Sequence, residues 1–199
     1  MKYACFDIGN VLAYVDFQPL LTAVSKSFNI STKDAISFLS NNQKKCDLGL
    51  TTVESELLHF FDIRSDILLN ELISHWNNSI QYDGRMNALL EELQAEGVEI
   101  ALLSNIGHEH MEIASKWFDC HKIKCVRFFS CQVGARKPTM LYYHTFLSMY
   151  PQYKGCVYID DVQENLDAGK AFGFDTVHFA LDAKPTERDI ASIKERILL

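Results

Sequence analysis

The sequence predicts an α/β protein built on a doubly wound parallel sheet that carries an inserted block of helices. Three observations predict it. From Arg85 onward, short apolar runs alternate with amphipathic helical stretches, the signature of parallel strands joined by right-handed helical crossovers. Between the first apolar run and Arg85 the periodicity is helical only. Polar residues collect where the apolar runs stop, which is where open parallel sheets bind ligands.

Taken in order, Lys2 to Ile8 reads as a short strand with Asp7 at its tip, and Gly9-Asn10 favours a tight turn behind it. From Asp16 to Asn78 the pattern is helical. Ser31 with Asp34 marks one helix start, and Thr51 with Glu54 has capping-box spacing ahead of Val53, Leu57, Phe60 and Phe61. Ser65 precedes Leu68, Leu69, Leu72, Ile73 and Trp76, and the helical spacing of Trp76, Phe60 and Phe61 predicts core positions. Met86, Leu89, Leu90 and Leu93 then form one stripe of a helix that ends at Gly97.

Val98 to Leu103 reads as the second apolar strand, with Ser104 and Asn105 at its tip. A helix over about Glu109 to Phe118 leads to a third strand, Cys125 to Phe129. Pro138, suited to a first helical turn, opens a helix through Met149. Cys156 to Ile159 is the fourth strand, with Asp160 and Asp161 at its end, and Asn165 to Phe172 is a helix closed by Gly173. Thr176 to Phe179 is the fifth strand, and Ile190, Ile193 and Ile197 mark a last amphipathic helix.

The 199 residues suffice for one well-buried domain with a small insertion. A composition of 48% hydrophobic and 23% charged residues is that of an ordinary globular chain. A net charge of −7 argues against nucleic acid or an anionic membrane as the main partner, because both demand a concentrated cationic face. No apolar run approaches the roughly 18 residues of a membrane-spanning helix, and the start of the chain, with Asp7 breaking its apolar stretch, does not read as a signal peptide. The six cysteines form no C-x-x-C pair and read as reduced thiols. A cytoplasmic monomer or weak homodimer is the expectation.

Asp160 and Asp161, adjacent at a strand end, repel each other unless a cation neutralises them. With Asp7 they offer the incomplete oxygen shell that Mg2+ prefers, to be finished by water and a phosphate. Lys137 adds a positive charge, and Ser104 and Asn105 add donors for phosphoryl oxygens, so the parts needed for phosphoryl transfer are present. His108 and His110 lack the further ligands of a zinc site and read as a helix start or pocket wall. Asn10 and Asp16 read as a turn residue and a helix start.

Four ordered segments, Phe6-Asp7-Ile8-Gly9-Asn10-Val11-Leu12, Leu103-Ser104-Asn105, Arg136-Lys137-Pro138 and Ile159-Asp160-Asp161 with Asn165, resemble the motifs of the haloacid dehalogenase superfamily. The bacterial sugar-phosphate (glucose-1-phosphate) phosphatases with a D-x-G-N-V opening are the branch they look most like. The resemblance implies a Rossmann-like core over 1–14 and 83–199 and a helical cap over 15–82. It implies magnesium-dependent hydrolysis of a small phosphorylated metabolite, with Asp7 as nucleophile and carrier of an aspartyl phosphate, and Ser104, Asn105 and Lys137 holding the phosphoryl oxygens. Lys137 also orients Asp7. Asp7, Asp161, Asp160 and the Gly9 carbonyl would hold the metal.

One departure matters: most phosphatases of this superfamily place a second Asp two residues after the nucleophile, where this chain has Gly9. Leaving-group protonation is therefore expected to suffer unless a remote acid, Asp16 or His108, replaces it. Two other readings share these residues: a metal-free 2-haloacid dehalogenase, and a phosphate-binding or regulatory protein without turnover.

Overall fold

The computed structural model describes residues 1–199. In chain order the elements are β1 (Lys2–Phe6), β2 (Ala13–Val15), α1 (Gln18–Phe28), α2 (Thr32–Asp47), α3 (Val53–Phe60), α4 (Asp66–Asn77), β3 (Ile80–Tyr82), α5 (Gly84–Ala95), β4 (Val98–Ser104) and α6 (His108–Cys120). There follow β5 (Cys125–Phe129), the short α7 (Ser130–Val133), α8 (Met140–Met149), β6 (Val157–Asp160), α9 (Gln163–Ala171), β7 (Asp175–His178) and α10 (Glu187–Leu198).

Five strands pair in the order β5-β4-β1-β6-β7, every pair parallel. Alternation along the strands divides the interior. Ala4, Phe6, Ile100 and Leu102 face a core completed by α5, α6 and α10, whereas Cys5, Ala101 and Leu103 face a second core with Tyr142, Tyr143, Phe146 and Leu166. Both faces are covered, so the strands read as near-continuous apolar runs. Each fully buried Leu or Phe contributes about 1.5–3 kcal/mol through the area it removes from water.

The chain leaves this sheet after β1 and returns at α5. The excursion α1–α4 has a core of its own, with Leu20, Leu21, Val24, Leu39, Leu57, Leu72 and Trp76 buried together. Its two ends are tied by the antiparallel pair β2–β3, Ala13 opposite Tyr82 and Val15 opposite Ile80. Three-residue strands carry too little alternation for the sequence to reveal them.

Three local expectations are corrected. Thr52, not Thr51, caps α3: its extended backbone lets Oγ1 accept the Ser55 N–H at 3.1 Å. Pro138 does not open a helix. Thr139 N–H and its hydroxyl both donate to the Arg136 carbonyl, forming a turn that holds Lys137 and Pro138, and α8 starts at Met140. Phe60 is 53% exposed, lying edge-on to Phe38 at the rim, whereas Phe61 stacks on Phe28.

Candidate active site

The carboxyl ends of β1, β4 and β6 converge on one cavity of about 370 Å³, walled by Asp7, Gly9, Asn10, Ser104, Asn105 and Asp161 from the sheet side. The parallel register explains the convergence: Phe6 lies beside both Leu102 and Ile159, so the residues just beyond these strands meet at one edge.

Lys137 is the electrostatic centre. Its Nζ lies 2.6 Å from Asp160 Oδ2 and 3.1 Å from Asp7 Oδ1, with no exposed side-chain surface. Burial alone pushes a lysine down, but Asp160 and Asp7 more than reverse this and hold its ammonium above the usual value. Asn105 fixes the lysine from behind. Its side-chain Nδ2 donates to the Lys137 carbonyl at 3.0 Å, and its Oδ1 accepts the Lys137 N–H at 2.8 Å. That amide is thus spent on the backbone, whereas Ser104 lines the cavity and its hydroxyl makes no hydrogen bond within the chain.

The three carboxylates differ. Asp160 is fully buried and saturated: Oδ2 accepts from Lys137 and the Tyr158 hydroxyl, and Oδ1 accepts from the Val162 N–H and Asn165 Nδ2, both at 2.9 Å. Burial opposes its ionisation, yet Lys137 and these donors hold its carboxyl below the ordinary range. Asp7 receives less help. Burial raises it to about 7 against the pull of Lys137, and Asp160 and Asp161 add to the rise, although the Ile8 N–H donates to Oδ1 at 2.7 Å. Asp161 is raised too, by burial first and Asp160 second.

Asn10 takes a left-handed backbone, φ 51°, and its Nδ2 donates to Asp161 Oδ2 at 3.3 Å while its Oδ1 accepts the Val15 N–H at 3.2 Å. The turn residue of the sequence reading thus also positions an acid.

A ligating oxygen of Asp7, of Asp160 and of Asp161 all lie within 4.8 Å of one another. Asp7 and Asp161 are raised, by burial first and by their neighbouring carboxylates next, and Gly9, whose carbonyl accepts no hydrogen bond from the chain, lines the same cavity. Hard oxygen donors with unbalanced negative charge fit a magnesium ion.

The far wall of the cavity comes from the insert and its edges: Val15, Phe17, Gln43, Asp47, Trp76 and Ile80, with Ile106 and His110 from the core. His110 is buried, lies parallel to Trp76 with centroids 4.5 Å apart, and its Nε2 is 2.8 Å from the Trp76 carbonyl. Trp76 therefore both fills the insert's core, as its spacing predicted, and borders the cavity. Neither surrogate acid of the sequence reading reaches this place. Asp16 is exposed and its Oδ1 accepts the Gln18 N–H at 2.9 Å; His108 lies beside Glu109 and Glu112 in a separate surface pocket. Asp47 was missed. Its one signal was an acid in the last turn of a helix, where the dipole disfavours negative charge.

The whole architecture has clear relatives among solved structures. A haloacid dehalogenase family enzyme of Bacteroides thetaiotaomicron superimposes with a TM-score of 0.75 at 19% identity, covering 89% of this chain and 93% of its own. A hydrolase of Porphyromonas gingivalis described as haloacid dehalogenase-like superimposes with a TM-score of 0.75 at 18% identity, over 98% of this chain and 97% of its own. This is the haloacid dehalogenase fold. The Bacteroides enzyme has also been crystallised with magnesium and inorganic phosphate. In sequence, a sesquiterpene phosphatase of Aspergillus oryzae is 31% identical over 101 residues, which span 48% of this chain and 50% of that protein. No protein-family model matches the chain.

Proposed function

We propose that this chain is a magnesium-dependent phosphatase acting on a small phosphate monoester through an aspartyl-phosphate intermediate. The observation that carries the proposal is Lys137 held between Asp7 and Asp160 at the mouth of β1 and β6, with an Asp161 oxygen within 4.8 Å of theirs. The phosphatase name of the Aspergillus relative and the phosphate-bound Bacteroides enzyme support the same chemistry.

In this reading Asp7 Oδ2 attacks phosphorus, because Oδ1 is already held by Lys137 and the Ile8 N–H. Lys137 and the Ser104 hydroxyl bind phosphoryl oxygens; Asn105 keeps Lys137 in place and contributes its main-chain N–H. Asp7, Asp161 and the Gly9 carbonyl hold magnesium. Asp160, with both oxygens engaged, supports the ion through its neighbours and fixes Lys137. Bound magnesium supplies charge neutralisation for the phosphoryl group. The covalent intermediate divides one hard displacement into two easier ones.

The leaving group faces Val15, Phe17, Trp76, Ile80 and Ile106, with Asn10, Gln43, Asp47 and His110 as the polar groups among them. Such a wall suits a compact ester with an apolar face. The sugar phosphate suggested by sequence resemblance is the polar extreme of that range, and a terpenoid phosphate, after the relative's name, is the apolar extreme.

A panel of phosphate monoesters assayed with Mg2+ and with a chelator tests this. Hydrolysis that needs the metal and vanishes in Asp7→Asn is the expected result. Full activity in Asp7→Asn, or phosphate release indifferent to chelation, would overturn it; halide release from a 2-haloacid with no phosphate release from any ester would favour metal-free dehalogenation instead.

A further inference from the structure

Gly9 leaves the site without a carboxylate on the nucleophile's own turn, and the cavity supplies one from the opposite side. Asp47, the last residue of α2, is 4% exposed and borders the same cavity as Asp7, Gly9, Ser104 and Asp161. Its Oδ2 accepts from Arg136 Nη2 at 3.2 Å, and its Oδ1 makes no hydrogen bond within the chain. Arg136 directly precedes Lys137, so the insert meets the core next to the residue that holds the nucleophile.

This placement is rigid. Gly49, two residues on, has φ +70°, and a Cβ there would come within 2.4 Å of the Cys131 carbonyl oxygen and 3.1 Å of His108 Nε2. Gly107 packs less tightly against the same helix end, since its Cβ would meet Cys46 at 3.4 Å. Close backbone contact on two sides thus fixes the end of α2 against α6 and α7.

We propose that Asp47 is the catalytic acid and base of this chain, reaching the leaving-group oxygen from the insert in place of the carboxylate that Gly9 lacks. The inference rests on the phosphatase reading above. In the first half-reaction Asp7 forms a bond to phosphorus as the ester P–O bond breaks, and the departing oxygen takes its electron pair and the proton of Asp47. In the second, a water oxygen attacks phosphorus, its proton passes to the Asp47 carboxylate, and the Asp7–phosphorus bond breaks to give phosphate. Asp47 ends protonated, ready for another cycle.

The surroundings keep that proton available. Burial lifts the Asp47 carboxyl to about 6 against the downward pull of Arg136 and, more remotely, Lys137. On its own helix Lys45 and Cys46 are near; Glu56 of α3, paired with Lys45, and Glu109, Cys131 and His108 of the core lie around this joint, and Asp7, Asp161 and His110 line the same cavity. A general acid poised close to neutrality transfers protons most effectively.

The test plots kcat/KM against leaving-group pKa, from aryl to primary alkyl phosphates with saturating Mg2+, for the wild type, Asp47→Asn, Asp47→Glu and Gly9→Asp. Asn keeps an acceptor for Arg136 but donates no acidic proton. It should lose about 10²–10⁴-fold on alkyl esters and little on aryl esters, together with the alkaline limb of the alkyl pH profile. Asp47→Glu should regain part of the alkyl rate. Gly9→Asp, whose Cβ would touch only Val15 at 3.5 Å, keeps the question open to test if Asp47→Asn does not fold, and should move all rates in parallel without changing the slope. Equal losses on aryl and alkyl esters in Asp47→Asn, or a slope flattened by Gly9→Asp, would overturn the assignment while leaving the phosphatase intact. Failure of the wild type to hydrolyse any ester would overturn both.

Discussion

Lys137 Nζ and Asp160 Oδ2 stand 2.6 Å apart with neither side chain exposed, so Lys137 is the one cation paired with Asp160, while it also reaches Asp7 at 3.1 Å. Removing one partner of a buried pair strands the other and costs about 3–5 kcal/mol, whereas removing both is far milder. Lys137→Met should therefore lower the unfolding free energy by about that amount, and Lys137→Met with Asp160→Asn should recover roughly half of it. Urea titration of the three proteins decides the matter. A double variant no better than the single one would show that the lysine matters for packing rather than charge.

Asp7 points the other way in its dependence on pH. Its folded-state carboxyl lies at about 7, above the roughly 3.9 of an unfolded Asp, so the folded protein binds the proton more tightly and is favoured at low pH. Without metal, stability should fall as pH rises from about 4 to about 7, by an amount on the order of a few kcal/mol. Mg2+ must displace that proton, so its apparent affinity should rise up to about tenfold per pH unit below 7 and level off above. Thermal unfolding at pH 5.5 and pH 8, with and without Mg2+, reads both trends, and a Mg2+-induced shift equal at the two pH values would contradict them.

Asn10 steers Asp161 with a single hydrogen bond to Oδ2, and its carbonyl accepts the Leu181 N–H at 2.7 Å, anchoring the turn in a left-handed conformation. Residues that orient a metal ligand typically contribute about 10–100-fold to affinity. Asn10→Gly preserves the backbone freedom and deletes only the side chain; it should raise the Mg2+ concentration for half-maximal activity by at least about tenfold, with kcat recovered at high Mg2+. Asp161→Ala should behave likewise, more severely. An unchanged Mg2+ dependence in Asn10→Gly would remove it from the site.

The parts of this molecule legible in its sequence are those encoded locally. Ile100–Leu103 is apolar because both faces of β4 are covered, and Asp7, Ser104 and Asp160-Asp161 are conspicuous because each ends such a run. Thr52 against Thr51, and Met140 against Pro138, were displaced by one or two residues because several side chains in each stretch can satisfy the first turn of a helix. Asp47 was not legible, since what gives it meaning is Arg136, 89 residues away, and the close approach of Gly49 to Cys131. Nor was the division of labour at Asp160, whose neighbours Lys137 and Tyr158 saturate it only once the strands are aligned.

The last prediction concerns size selection. Residues of α2, α4 and the β2–β3 pair stand over the cavity, and Trp76 joins the two layers: it is buried in the insert's core, lies flat against His110 of α6, and stacks with Phe17 at 5.2 Å. A cavity of about 370 Å³ beneath that wall admits a small ester and not a folded phosphoprotein. Free phosphate esters should accordingly be hydrolysed and a phosphorylated protein left intact, as release of inorganic phosphate from each will show. Trp76→Leu keeps an apolar plug but removes the ring surface facing His110. It should raise KM for esters with flat or apolar leaving groups more than it raises the inhibition constant of inorganic phosphate, because in the proposed binding mode phosphate would touch only the sheet side of the cavity. Equal weakening of both would mean that Trp76 acts by holding the insert in place, and rapid turnover of the phosphoprotein by the wild type would mean that the insert does not stand guard over the site at all.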